Sequence, residues 1–139
     1  MTTTLNAVSG TGLVQTSDGS GILKVQSNSV TTNALAWVNF NGVTTATIRA
    51  SYNVSSVTRN STGLYTISFT NNLSDANYSI VGSGFWYSGA STNAAWIIAE
   101  VTSNQTTRSA TTSSVQVTTV NSSFAVTDCG STNVAIFGN

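Results

Sequence analysis

"ASYNVSSVTRNSTGLYTISFT", residues 50–70, is the stretch from which the fold can be read. Its second half, LYTISFT (64–70), alternates cleanly, placing Tyr65, Ile67 and Phe69 on one side and Thr66, Ser68 and Thr70 on the other. That period of two is the pattern of a strand with one buried face. Thr62-Gly63 marks a turn just before it. The first half belongs to TATIRASYNV (45–54), which places Ala46, Ile48, Ala50, Tyr52 and Val54 on one face and Thr47, Arg49 and Ser51 on the other. Alternation fails at Ser55-Ser56, where Val57 has changed parity, as a bulge or a strand end would cause. The stretch reads as two strands whose apolar sides, Ala50, Tyr52 and Val54 with Tyr65, Ile67 and Phe69, form one wall of a β core.

Working outward, ALAWVNF (34–40) is a strand with Leu35 and Trp37 facing one way and Ala36, Val38 and Phe40 the other. Both faces are apolar, so both are expected to be covered. Asn41-Gly42 follows and predicts a type I′ hairpin. Further strands are predicted in ILKVQS (22–27), YSIVGSGFWYS (78–88), AAWIIAEV (94–101), SVQVTTV (114–120), SFAVTD (123–128) and NVAIFG (133–138). No amphipathic helix interrupts them. Short strands separated by regular turn signals predict an all-β fold, an antiparallel β-sandwich or jelly-roll-like barrel. Residues 1–33, with short apolar pairs and a Gly-rich turn at 18–21, read as an N-terminal arm or short strands that could attach the chain to something larger. Residues 34–139 read as the β-sandwich domain.

Composition narrows the function. A chain of 139 residues suits one core. Four basic residues balance four acidic ones, so there is no broad field to attract nucleic acid or an anionic membrane. Ser, Thr and Asn are abundant, yet 40% of the residues are hydrophobic, which disordered chains lack. Proline is absent. The start, MTTTLNAVSG, has neither a basic n-region nor a long apolar run, so no secretory signal and no membrane insertion are expected. The six N-x-S/T sequons, at Asn53, Asn60, Asn72, Asn77, Asn104 and Asn121, are then no sign of glycosylation.

The chemistry available is sparse. With no histidine, Ser-His-Asp and Cys-His catalysis are excluded. Cys129 is the single cysteine and reads as a small buried apolar thiol. Asp18 and Asp75 sit in turn-like contexts where the side chain bonds its own backbone. That leaves Glu100 and Asp128 as a carboxylate pair for glycoside hydrolysis, with no sign of the tuning such a pair needs. No enzyme, metal site or cofactor is expected. GSGFWYSGAST (82–92) is the most suggestive stretch, because Phe85, Trp86 and Tyr87 lie between glycines. Flat aromatic faces with polar handles suit sugar rings or protein partners, so these three are the candidate receptor or partner contacts. The plainer alternative has Trp86 in the core, with Phe85 and Tyr87 against a neighbouring strand or subunit.

ALAWVNFNGVTTATIRASYNVSSVTRNSTGLYTISFT, continued by NNLSDANYSIVGSG, resembles a module of tail-fibre and related virion surface proteins of tailed bacteriophages. The resemblance covers residues 34–84 and rests on AWVNFNG, IRASYNVSS, the T-x-N-x-T-G turn (58–63) and DANYS. It implies a β-structured, trimeric, non-enzymatic structural protein on the particle surface, of tail-fibre or receptor-binding type. Such a protein would be made in the host bacterial cytoplasm and assembled there with tail or major capsid proteins. Its outer partner would be a host surface glycan. Fibre proteins carrying this module are usually long, whereas here only residues 1–33 precede it, so the alternative expectation is a capsid decoration (cement) protein stabilising the head. A homo-oligomer is also expected from the residues themselves, since the chain has little charge and no proline with which to protect edge strands.

Overall fold

The computed structural model describes residues 24–85, 94–99 (through their backbone) and 109–138. Ten strands run through them in the order β1 (Gln26–Ser27), β2 (Val30–Thr31), β3 (Ala36–Asn41), β4 (Thr47–Tyr52), β5 (Val54–Ser61), β6 (Leu64–Phe69), β7 (Ser79–Phe85), β8 (Ala94–Ala99), β9 (Ser114–Val120) and β10 (Ser131–Phe137). There is no helix among the described residues, and every pairing is antiparallel. β1 and β2 form a small hairpin whose turn residues, Asn28 and Ser29, both have positive φ, as a type I′ turn requires.

The other eight strands follow one hydrogen-bonded order, β4-β3-β10-β7-β8-β9-β6-β5. β8 begins against β7, through Ala94 and Ala95, and continues against β9, from Trp96 to Ala99. It thereby passes from a front layer, β4-β3-β10-β7, to a back layer, β9-β6-β5. The two end strands, β4 and β5, are not paired with each other, so the structure is an open sandwich and the barrel alternative is set aside.

Period-two sequence supplies the core. β3 turns Ala36, Val38 and Phe40 inward and β10 turns Val134 and Ile136, against Tyr65, Ile67 and Phe69 of β6 and Val115 and Val117 of β9, all buried. Phe40 and Tyr65 meet edge to face across the layers, 5.1 Å between centroids, and Phe69 meets Tyr78 in the same way at 6.0 Å. Thr118, Thr119 and Thr132 are buried as well, and the hydroxyls of Thr118 and Thr132 have no hydrogen-bond partner.

The end strands β4 and β5 are separated in sequence by a single residue, Asn53. Its φ is 54°, a left-handed conformation that asparagine tolerates better than most residues. Its side-chain Nδ2 donates to the carbonyls of Leu35 and Asn71, its Oδ1 accepts from the Asn71 N–H, and its own carbonyl accepts from Thr70. One residue thus turns the chain from the front layer to the back.

Four readings are corrected. Ala50 and Tyr52 do not share a face with Val54. β4 ends at Tyr52, and a bulge opposite Asn39 and Phe40 makes Arg49 the extra residue, so Ile48 stays inward with Phe40 while Ala50 and Tyr52 pair with the outward Asn39 and Trp37. The hairpin does exist, but it joins β5 to β6, with Val54 opposite Phe69 and a second irregularity at Ser55, where alternation fails in the sequence. Asn41-Gly42 does not form a two-residue turn. The β3–β4 connection spans 42–46, with positive φ at Thr44, and Gly42 serves close packing instead. A Cβ there would overlap the Tyr65 hydroxyl and lie 2.7 Å from the ring carbon Cζ. Finally, 123–128 is not a strand. Asn121 Oδ1 accepts from the N–H groups of Ser123 and Ala125, closing a turn that leaves Phe124 exposed, and Val126 alone bridges back to Val120. Of the two apolar faces of ALAWVNF, the one carrying Ala36, Val38 and Phe40 is covered within the chain; on the other Leu35 is buried and Trp37 is 40% exposed in the single chain.

Three substitutions at two positions test this account by chemical denaturation. Asn53→Ala loses the side-chain bonds and is strained at positive φ, which should cost about 3 kcal/mol, whereas Asn53→Gly keeps the backbone freedom and should cost about 1 kcal/mol less. Thr132→Val should stabilise by about 1 kcal/mol, because it removes a buried hydroxyl that bonds to nothing.

Candidate functional site

Alternation of β3, β10 and β7 sends half of their side chains to the outer face of the front layer. Cross-strand register sorts these into rows. Tyr52, Trp37, Ala135 and Val81 form an apolar row across four strands, with Val81 58% exposed. The next row is polar: Asn39 Nδ2 donates to Asn133 Oδ1 at 2.6 Å and to Ser131 Oγ at 3.3 Å, and Asn133 Nδ2 donates to Ser83 Oγ at 3.4 Å. Beyond it, Ser131 lies opposite Phe85, whose ring is 57% exposed.

Phe85 stands at an open depression of about 680 Å³, lined also by Asn39, Asn41, Val43, Arg49, Gly130 and Ser131. The β4 bulge aims Arg49 into it, where Nη2 donates to the Gly130 carbonyl at 2.6 Å. Asn41 is held by its Oδ1, which accepts from the Val43 N–H. Among the described residues the depression thus combines one guanidinium, two amides, a hydroxyl and one aromatic ring, and no carboxylate.

At the end of the sandwich, Thr127–Gly130 leads into β10 and makes a different arrangement. Arg59 meets Asp128 through Nε, at 3.0 and 3.1 Å, and Nη2, at 2.8 Å. The Gly63 N–H donates to the same carboxylate at 2.7 Å, and the Tyr65 hydroxyl lies 2.8 Å from it and 3.0 Å from the Gly42 carbonyl. Burial pushes the Asp128 carboxyl up, but the bonds from Arg59, Gly63 and Tyr65 outweigh it and hold the group below the ordinary carboxylate value. Burial first, and the bond to Asp128 second, push the Tyr65 phenol well above its ordinary 10.0. Burial likewise raises the Cys129 thiol above 9.0.

The residues singled out from sequence fall as follows. Phe85 is exposed at the depression, while Trp86 and Tyr87 lie outside the described residues. Asp128 is bound up with Arg59, Gly63 and Tyr65, and Glu100 lies outside the described residues. Asp75 accepts from the Asn77 N–H, as its turn context predicts. Cys129 is fully buried. Among the described residues no three His, Cys, Asp or Glu side chains gather where they could hold a metal. Asn39 and Arg49 were not singled out. The alternation of AWVNFN places Asn39 and Asn41 beside Trp37 on the outer face, but nothing in the sequence marks the bulge that adds Arg49 to them.

Set against models of protein families, curated proteins and solved structures, the chain matches none.

Stability should be flat between about pH 5 and 8, since the chain has no histidine to titrate there. Asp128 has a depressed folded pKa, so its contribution is present above the unfolded value near 3.8 and is lost as pH falls through the lower folded value. Tyr65 and Cys129 have raised folded values, so theirs is present below the unfolded values of 10.0 and 9.0 and is lost as pH rises past them. Thermal unfolding across pH should show both limbs. Asp128→Asn should flatten the acid limb and cost about 1.5–3 kcal/mol at neutral pH, the range for a hydrogen-bonded charge.

Proposed function

We propose that this chain is a non-enzymatic structural protein of a tailed-bacteriophage particle, displayed on the virion surface as a tail-fibre or receptor-binding component. The observation that carries the reading is the outer face of the front layer, where Phe85, Arg49 and the Asn39–Asn133 ladder surround an open depression on a rigid sheet. Contacts presented by a scaffold of this kind suit recognition of another surface. The resemblance of residues 34–84 to phage surface modules supports the same reading.

A non-catalytic role is supported by Asp128, whose carboxylate is taken up by Arg59, Gly63 and Tyr65, and by Asp75, which closes its own turn. Assembly as a homotrimer is part of the proposal. The apolar row Tyr52–Trp37–Ala135–Val81 supports it, since an uncharged strip of this width is suited to burial against another subunit.

Cryo-microscopy of particles that carry the chain provides the test. Threefold density at the tail or a fibre tip is the expected result. Density confined to capsid faces would overturn the receptor-binding reading in favour of head decoration.

A further inference from the structure

We propose that the depression beside Phe85 binds a saccharide bearing a carboxylate, with Arg49 taking the acid group, Phe85 the apolar face of a sugar ring, and Asn39 and Asn41 its hydroxyls. This rests on the receptor-binding reading and supplies its ligand class.

Charge selects an acidic ligand. Arg49 brings a guanidinium, no carboxylate among the described residues lines the depression, and the one ion pair among them, Arg59–Asp128, is made elsewhere. Nη2 is anchored to the Gly130 carbonyl, which fixes the plane of the guanidinium and leaves its other N–H groups for an incoming group. A planar fork held in this way matches a carboxylate better than a point charge would.

The remaining groups select a sugar. Asn39 uses its Nδ2 on Asn133 and Ser131, which leaves Oδ1 to accept. Asn41 uses its Oδ1 on Val43, which leaves Nδ2 to donate. An acceptor and a donor fixed on neighbouring positions of one strand face suit hydroxyls, which do both. Phe85 offers a flat apolar surface on the far side of Ser131. A volume of about 680 Å³ lies in the range of small-ligand sites and holds a short oligosaccharide.

The test uses the full chain and two probes of the same length, tetragalacturonate and its methyl ester, which differ in charge but hardly in shape. Calorimetry at low salt should show the acid binding at least tenfold more tightly than the ester, with affinity falling as salt is raised. Arg49→Gln should reduce binding of the acid at least tenfold, and Phe85→Ala should weaken acid and ester alike. Equal affinity for the two probes, or binding of neither, overturns the proposal, and the unmodified protein alone decides this. In parallel, labelled protein is applied to the bacterium that the particle infects. Labelled cells without uronate binding would overturn this inference and leave the receptor-binding reading intact. Uronate binding without labelled cells would uphold the site and overturn that reading.

Discussion

Four consecutive residues, Thr127–Gly130, hold the layers of this protein in place, and each reaches a different part of it. Thr127 exchanges bonds with Thr119 of β9: its N–H donates to the Thr119 carbonyl, and its own carbonyl accepts from the Thr119 hydroxyl. Asp128 gathers Arg59 of β5, Tyr65 of β6 and the turn between them. The Cys129 carbonyl accepts from Gly42 after β3, and the Gly130 carbonyl accepts from Arg49 of β4. Apolar burial between the layers is non-directional. Directional bonds from one short segment to both layers add fixed points of attachment to it.

The choice of interactions is unusual because charge is so scarce. With four basic and four acidic residues in the chain, a half-buried carboxylate is a risk unless fully compensated. Asp128 has that compensation from a guanidinium, a backbone N–H and a phenol. Elsewhere neutral amides perform the polar work: Asn53 turns the corner between layers, Asn39 and Asn133 lace the outer face, and Asn121 closes the turn below Phe124. Hydrogen bonds between neutral amides are insensitive to salt and do not titrate.

Much of the fold could be read from the sequence because period-two alternation reports burial directly. Tyr65, Ile67 and Phe69, and likewise Ala36, Val38 and Phe40, point where the pattern places them. SVQVTTV coincides with β9, and the break at Ser55-Ser56 is a real irregularity. What could not be read depends on tertiary neighbours. Ala50 and Tyr52 changed face because of a bulge at Arg49, and bulges leave no compositional mark. Asn41-Gly42 carries a hairpin signal, but its glycine is required by the ring of Tyr65, which is distant in sequence. Asp128 lay in an apparent strand, and its partners Arg59 and Tyr65 are more than sixty positions away. Of the candidate site, the aromatic Phe85 was visible and its polar companions Asn39 and Arg49 were not, because register alone brings them together.

The position of β10 has a consequence for how the chain acquires its structure. The last strand in sequence lies in the interior of the sheet order, between β3 and β7, and pairs with both along its length. Its bond from Asn133 to Asn39 spans ninety-four positions. Until Ser131–Phe137 is available, β3 and β7 each present an open inner edge, and the core lacks Val134 and Ile136. Local hairpins such as β5–β6 can form early, but the front layer must wait for its most distant segment, a slow, high-contact-order closure. A chain in which β10 has not yet docked therefore exposes two strand edges, the kind of surface through which incompletely folded proteins associate.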